Sequence, residues 1–277
     1  ASHVRQLTEA LSADGSTDAA KAIMTTDTRI KEIAVEFSVD GTVCRIAAIS
    51  KGSGMIHPNM ATMLGFLTTD VNIKKSLLSQ ALSKVVKDTF NMVSVDGDTS
   101  TNDMVSIMAS GLAGNKKIKE QGTPGYQAFY GALMEVCTYL ARMMAKDGEG
   151  ATKLIECKVH GASSDEQAKI VAKSIVMSNL TKAAVFGADA NWGRVLCAIG
   201  YAQTEVDVQK VDVTFESKAG SILVCQNGAG VAFDEALAKK ILLEEEIVID
   251  VNLNSGKCEK TAYGCDLTYD YVKINGD

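Results

Sequence analysis

Residues 51 to 64 read Lys51-Gly-Ser-Gly-Met-Ile-His-Pro-Asn-Met-Ala-Thr-Met-Leu64. A glycine-rich turn here meets one of only two prolines in the chain and interrupts a run of apolar alternation. Upstream, residues 33–39 and 43–49 alternate apolar and polar positions around Asp40-Gly41, the pattern of a two-stranded hairpin. Downstream, Met63-Leu-Gly-Phe-Leu67 starts a buried segment, and residues 66–71 read as another strand. The stretch is therefore a polar loop between strands, and it presents Thr62 as a candidate nucleophile. Breaking the Ala61–Thr62 bond frees an α-amine on the residue that carries the hydroxyl, and a threonine paired with its own N-terminal amine is an activated nucleophile. Threonine is also common at the start of a strand, so spacing alone leaves a structural role open.

The composition bounds the rest. A chain of 277 residues can bury a sizeable core in one large or two smaller domains. With 46% hydrophobic and 22% charged residues it reads as globular. A net charge of −6 with no basic block argues against a nucleic-acid role. No apolar run is long enough to span a bilayer. The seven cysteines are odd in number, scattered and without a Cys-x-x-Cys pair. That excludes a disulfide framework or zinc site as the default and fits reduced, mostly buried thiols in the cytoplasm. The histidines, His3, His57 and His160, leave little for a Ser-His-Asp enzyme or a metal centre. His57 lies close to Thr62 in sequence and is a candidate base, with a structural role equally open. The chain does not begin with methionine and is expected to be a fragment or a processed product.

Helix and strand patterns alternate along the chain. Helical spacing covers residues 73–90 and 126–144, and residues 104–109 form an apolar run. Beyond residue 150, strands are expected at 152–159, 182–186, 211–215, 222–225, 247–253 and 265–274, and helices at 166–178, 192–201 and 234–243, the last with Asp234 as N-cap. The fold class is mixed α/β, with helices layered on sheets. A soft boundary near Gly150 divides a first lobe, residues 1–150, from a second α/β lobe, residues 151–277. No internal repeat interrupts this reading.

Polar islands stand out against that pattern, and chemistry concentrates at such islands. Thr25-Thr-Asp-Thr28 offers hydroxyls and a carboxylate, or a simple turn. Asp96-Gly-Asp-Thr-Ser-Thr-Asn-Asp103 lacks the glycine placement and closing glutamate of a calcium loop, so a turn that positions a neighbour fits better than a metal site. Lys146-Asp-Gly-Glu-Gly-Ala-Thr-Lys153 sets Glu149 between glycines that let backbone approach a ligand. Gly187-Ala-Asp-Ala-Asn-Trp-Gly-Arg194 opens a helix, where anion binding or an Arg194–carboxylate pair competes with a plain cap and a packed Trp192.

Taken in order, these motifs resemble the ornithine acetyltransferase family, the bifunctional glutamate N-acetyltransferases of arginine biosynthesis. The likeness runs from about Asp18 to Asn275, and the 51–64 motif is close to diagnostic. The resemblance implies a precursor that cuts itself between Ala61 and Thr62, with Thr62 the catalytic nucleophile of the second half. It further implies that Thr25, Lys51, Thr62, Glu149 and Asn275 bind substrate. The implied architecture is a layered αββα-type sandwich of two lobes with the active site in the cleft between them. The family also carries a preceding segment whose Thr-Gly pair forms the oxyanion hole, and a terminal threonine beyond Asp277.

On that resemblance the acetyl group moves from N-acetylornithine to glutamate by ping-pong chemistry through acetyl-Thr62. No metal or organic cofactor is required, with acetyl-CoA a possible second acetyl donor. Two copies of each half are expected to assemble as a heterotetramer. Two rivals use the same residues differently: an N-terminal-nucleophile amidohydrolase or aminopeptidase with water as acceptor, and a non-enzymatic amino-acid-binding module.

Overall fold

The computed structural model describes residues 3–57, 63–99 and 101–276. Two short helices, α1 (Val4–Glu9) and α2 (Ser16–Ala22), precede the hairpin β1 (Lys31–Val39) and β2 (Thr42–Lys51). Asp40 and Gly41 both take positive φ, 49° and 83°, which fits a tight turn to the twist of its strands. Then come β3 (Leu64–Thr69), α3 (Lys75–Asp88), β4 (Val93–Ser94), β5 (Met104–Ala109) and the long α4 (Pro124–Lys146). The second half holds β6 (Leu154–Ala162), α5 (Asp165–Met177), α6 (Asn179–Phe186), α7 (Trp192–Gly200), β7 (Asp212–Ser217), β8 (Gly220–Gln226) and β9 (Ala229–Gly230). It ends with α8 (Glu235–Leu242), β10 (Glu246–Asn252), β11 (Cys258–Cys265) and α9 (Tyr269–Asn275).

The strands form two sheets, one in the order β1-β2-β3-β5 and one in the order β4-β11-β6-β10-β7-β8-β9. The α/β layering expected from sequence is what the fold shows. Helix α4 packs on β1 and β2 and also on β11 and β6, so it meets both sheets. Its apolar face is correspondingly wide: Phe129, Leu133, Val136, Cys137, Leu140, Ala141 and Met144 are all buried. Phe129 meets Phe37 of β1 with ring centroids 6.1 Å apart. Burial of each such large side chain stabilises by about 1.5–3 kcal/mol, so α4 is a main tie between the sheets. Thr123 caps its start and accepts from the Tyr126 N–H, with Pro124 in the first turn.

Two expectations fail. Residues 182–186 are the end of helix α6, not a strand. Ser178 caps that helix by accepting from the Thr181 N–H at 3.3 Å, and the apolar run 183–186 is too short for periodicity to tell helix from strand. The strand expected over residues 265–274 belongs earlier: β11 ends at Cys265, and α9 follows. Tyr269, Tyr271, Val272 and Ile274 have strand-like side chains. Thr268 overrides them as an N-cap, accepting from the Tyr271 N–H at 3.2 Å.

Candidate active site

A buried cation organises the Thr25–Thr28 island. Lys31 opens β1, and its side chain is 0% exposed. Its Nζ donates to Asp27 Oδ1 at 2.7 Å and to Asp147 Oδ2 at 2.5 Å. Asp27 also accepts from the N–H groups of Gly52 at 2.7 Å and Thr25 at 3.2 Å. Burial pushes the Asp27 carboxyl up, but the Gly52 N–H, Lys31 and the Thr25 N–H outweigh it and hold the group below its usual range. Asp147, just past α4, accepts from the Thr28 N–H at 3.1 Å, from the Thr28 hydroxyl and from the Arg29 N–H at 3.3 Å. One ammonium thus joins the 25–29 loop, the Gly52 turn and the end of α4.

That frame places the four described candidates in two pairs on either side of one turn. Lys51 Nζ donates to Thr25 Oγ1 at 3.1 Å. Asn275 Nδ2 donates to Glu149 Oε2 at 2.9 Å and to the Tyr271 carbonyl at 3.1 Å. Glu149 is fixed by its own backbone, whose N–H donates to the Ser53 carbonyl at 3.0 Å. Its carboxyl lies directly over Gly54, where an added Cβ would collide with it. Gly150, with φ +67°, brings the chain so near α9 that a Cβ would meet the Tyr271 nitrogen at 2.5 Å.

A second frame holds the chain around the candidate nucleophile. Asp96 accepts from the Met55 N–H at 2.6 Å and the Ile56 N–H at 3.0 Å. The Val95 N–H donates to the Ile56 carbonyl at 2.7 Å, and the Thr99 hydroxyl to the His57 carbonyl at 3.0 Å. On the other side Asp103 accepts from the Met63 N–H, and the Met104 N–H donates to the Met63 carbonyl at 3.0 Å. Residues 95–99 therefore hold the chain at Met55, Ile56 and His57, and Asp103 and Met104 hold it at Met63. Ala61 and Thr62, the expected cleavage site and nucleophile, lie outside the described residues.

The titratable groups here differ in their environments. Burial, with help from the Lys173 charge and against Asp98, pushes His57 down to about 4. Its Nδ1 sits 3.1 Å from Ser94 Oγ, and a ring so hard to protonate is a weak proton acceptor at neutral pH. Burial pushes Asp96 up, opposed by the N–H groups of Asp98, Met55 and Ile56. Burial raises Asp103 to about 6, against the Met63 N–H and the Lys51 charge. A cleft of about 780 Å³ opens beside His57 and Thr99 toward Lys169, Lys173 and Tyr201. A depression of about 480 Å³ on the outer face of the four-stranded sheet is lined chiefly by Ala34, Ala47, Ile49 and Phe66, away from these frames.

The 187–194 island is structural. Asn191 caps α7 by accepting from the Arg194 N–H at 3.2 Å, and Arg194 Nη1 donates to the Leu180 carbonyl at 2.9 Å. Trp192 covers Gly230, where a Cβ would meet its ring at 2.5 Å. Among the described residues no His, Cys, Asp and Glu cluster could hold a metal ion, and no helix is long and apolar enough to cross a membrane. Sequence reasoning missed Lys31, Asp147 and the role of Asp103. The signal for the last was present: a polar turn that ends in an acid just before an apolar run.

Known proteins resemble this chain over most of its length. The chain matches the sequence model of the ArgJ family over residues 1–277. It is 58% identical over 255 residues to the arginine biosynthesis bifunctional protein ArgJ 1 of Clostridium acetobutylicum, covering 92% of this chain and 62% of that protein. It is 54% identical over 266 residues to the arginine biosynthesis bifunctional protein ArgJ of Caldanaerobacter subterraneus subsp. tengcongensis, covering 96% and 66%. The chain thus spans less than two thirds of the length of these curated relatives. The crystal structure of the arginine biosynthesis bifunctional protein ArgJ from Bacillus halodurans superposes with a TM-score of 0.74 at 49% identity, covering 78% of this chain and 99% of that one. With a family match over its whole length and a shared fold, the chain belongs to the ArgJ family.

Proposed function

We propose that the protein to which this chain belongs is a self-processed acetyltransferase that moves the acetyl group of N-acetylornithine to glutamate. The observation that carries this reading is the pairing of Lys51 with Thr25 and of Glu149 with Asn275 on either side of the Gly52-Ser53-Gly54 turn. A cationic pair and an anionic pair suit a substrate with a carboxylate at one end and an ammonium at the other. Lys51 has donors left for a carboxylate after binding Thr25, and Glu149 has an oxygen left for the ornithine ammonium after Asn275.

In this scheme Thr62 Oγ attacks the acetyl carbonyl. Its freed α-amine, with an ordinary pKa of about 8, takes the hydroxyl proton and passes it to the leaving amine. Ornithine departs, acetyl-Thr62 remains, and the amine of glutamate resolves the ester. The names of the relatives, bifunctional proteins of arginine biosynthesis, support the substrate class. Acetyl-CoA is a second donor in this proposal, a pair of each half is the assembly, and the cytoplasm is the compartment.

Denaturing intact mass of the full-length product tests it, with and without N-acetylornithine. Two pieces that meet at Ala61/Thr62, the second gaining an acetyl group that glutamate removes as N-acetylglutamate, are expected. Acetate as product points instead to a hydrolase, and an uncut mass without adduct refutes the reading.

A further inference from the structure

Helix α5 lines the cleft of about 780 Å³ with side chains at helical spacing, Glu166, Ile170 and Lys173, and with Lys169 one turn before Lys173. A second wall is the end of α7 and the chain just beyond it, Tyr201 to Gln203. Two hydrogen bonds from α5 fix that wall. Ser174 Oγ donates to the Ala198 carbonyl at 2.6 Å, and Gln167 Nε2 donates to the Glu205 carbonyl at 2.7 Å. The cleft therefore lies between two elements clamped to each other at both ends.

Its charge is unbalanced. Lys169 and Lys173 are half-buried, and neither makes an ion pair or a side-chain hydrogen bond among the described residues. The more deeply buried lysines all have acceptors: carboxylates for Lys31, backbone carbonyls for Lys153 and Lys182. Burial and the Lys169 charge push the Lys173 ammonium down to about 8. A cation held partly out of water without a partner is costly, and an anion recovers that cost. Glu166 is the one carboxylate among the described lining residues, and His57, pushed down to about 4, is neutral at pH 7. The lining is thus net positive on a chain of charge −6.

Three features say which anion fits. Lysines four apart on a helix stand about 5–6 Å apart at Cβ, a spacing that suits two adjoining phosphates. Tyr201 is 57% exposed and has no aromatic neighbour among the described residues, so a ring face is open for stacking. Asn91, in the short turn Phe90–Met92, lines the cleft with a buried amide oxygen that has no hydrogen-bond partner, and it needs a donor from the ligand. We propose that this cleft binds a nucleoside diphosphate group, its phosphates on Lys169 and Lys173, its base on the Tyr201 ring and a base amine or ribose hydroxyl on Asn91. A volume of about 780 Å³ is far more than a phosphate ion fills and lies in the range of small-molecule sites. Free ADP and coenzyme A share this group. The assignment does not depend on the transferase reading above.

The test is calorimetric titration of the full-length protein with ADP, coenzyme A and inorganic pyrophosphate. ADP is expected to bind one to one and more tightly than pyrophosphate. Lys173→Met weakens ADP by roughly 10–100-fold, and Tyr201→Ala weakens it at least about fivefold while leaving pyrophosphate unchanged. The charged and titratable groups around Lys173 are Lys169 and Glu166 on its own helix, His57 with Asp98 beside it, and Tyr201. Since Lys173 gives up its proton near 8, wild-type affinity is expected to fall as pH rises through about 8, and Lys173→Arg, which stays charged, binds without that fall. Coenzyme A that binds at least as tightly as ADP and competes with it identifies an acyl carrier as the source; ADP binding with coenzyme A excluded identifies a free nucleotide. No ADP binding overturns the site, and so does a Lys173→Met variant that binds ADP like wild type. Pyrophosphate binding as tightly as ADP overturns the nucleoside assignment. Failure of the transferase reading shows instead as an uncut, unacetylated mass, which none of these titrations reads.

Discussion

Replacing Lys31 by methionine removes one charge and strands two. In the native chain the side chains of Lys31 and Asp27 are 0% exposed, and that of Asp147 is 2% exposed. Methionine fills a similar volume but leaves two buried carboxylates without their shared cation. Breaking a buried ion pair by deleting one partner costs about 3–5 kcal/mol, since the remaining charge is uncompensated. For a chain of this size that lowers Tm by roughly 6–20 °C. The pH dependence is the sharper signature. Asp27 is held below its unfolded value, so its contribution to stability is complete above about pH 4 and is lost as pH falls through the lower folded value. Without Lys31 only the Gly52 and Thr25 N–H groups oppose burial, so the folded Asp27 pKa moves up toward or past the unfolded one. The variant then loses less stability in acid than wild type does. Thermal melts of the full-length protein from about pH 3 to about pH 7 read both effects. A loss under about 1 kcal/mol, or a variant whose acid response runs parallel to wild type, refutes the view that this ammonium organises the 25–29 loop.

Three further outcomes follow from the same geometry. Charge reversal in Glu149→Lys is expected to raise KM for N-acetylornithine by at least about tenfold, read from steady-state kinetics; an unchanged KM removes Glu149 from the substrate's ammonium. Asp96→Ala removes the acceptor of the Met55 and Ile56 N–H groups, at about 1–3 kcal/mol for the part-buried Ile56 N–H, and intact mass should show slower appearance of the cut pieces. Gly150→Ala forces a side chain into a φ of +67° and against the Tyr271 nitrogen, which costs about 1–2 kcal/mol in backbone strain alone. Faster hydrogen exchange is expected over α9, and unchanged exchange there argues that α9 is not held by this contact.

Local chemistry was legible in the sequence where neighbours decide the structure. Asp40-Gly41 gives the hairpin, 3.6-residue spacing gives α3 and α4, and Asp234 caps α8 through the Ala236 N–H at 2.8 Å. The two failures, at residues 182–186 and 265–274, lie where a cap outweighs side-chain propensity. That Thr25, Lys51, Glu149 and Asn275 bind substrate is an expectation from family resemblance alone; their pairing, Thr25 with Lys51 and Glu149 with Asn275, is visible only in the structure, because no local pattern reports it. Lys31 is the clearest loss. A lysine before a strand reads as solvated, and its partner Asp147 lies 116 residues away, so nothing nearby in sequence announces the pair. Asp103 was visible as the end of a turn, but its grip on Met63 spans 40 residues.

The Gly52-Ser53-Gly54 turn has a consequence for selectivity. Lys51 leads into it, Asp27 holds it from below through the Gly52 N–H, and the backbone of Glu149 is bonded to its centre at Ser53. The two charged pairs are therefore the jaws of a calliper whose frame is a backbone turn clamped by the buried Asp27. Under the proposed reading, such a frame measures a diamino acid by the number of bonds between its carboxylate and its ammonium. A substrate one methylene short touches one jaw and misses the other, so it should still bind and fail mainly to hold its acetyl group in place for attack.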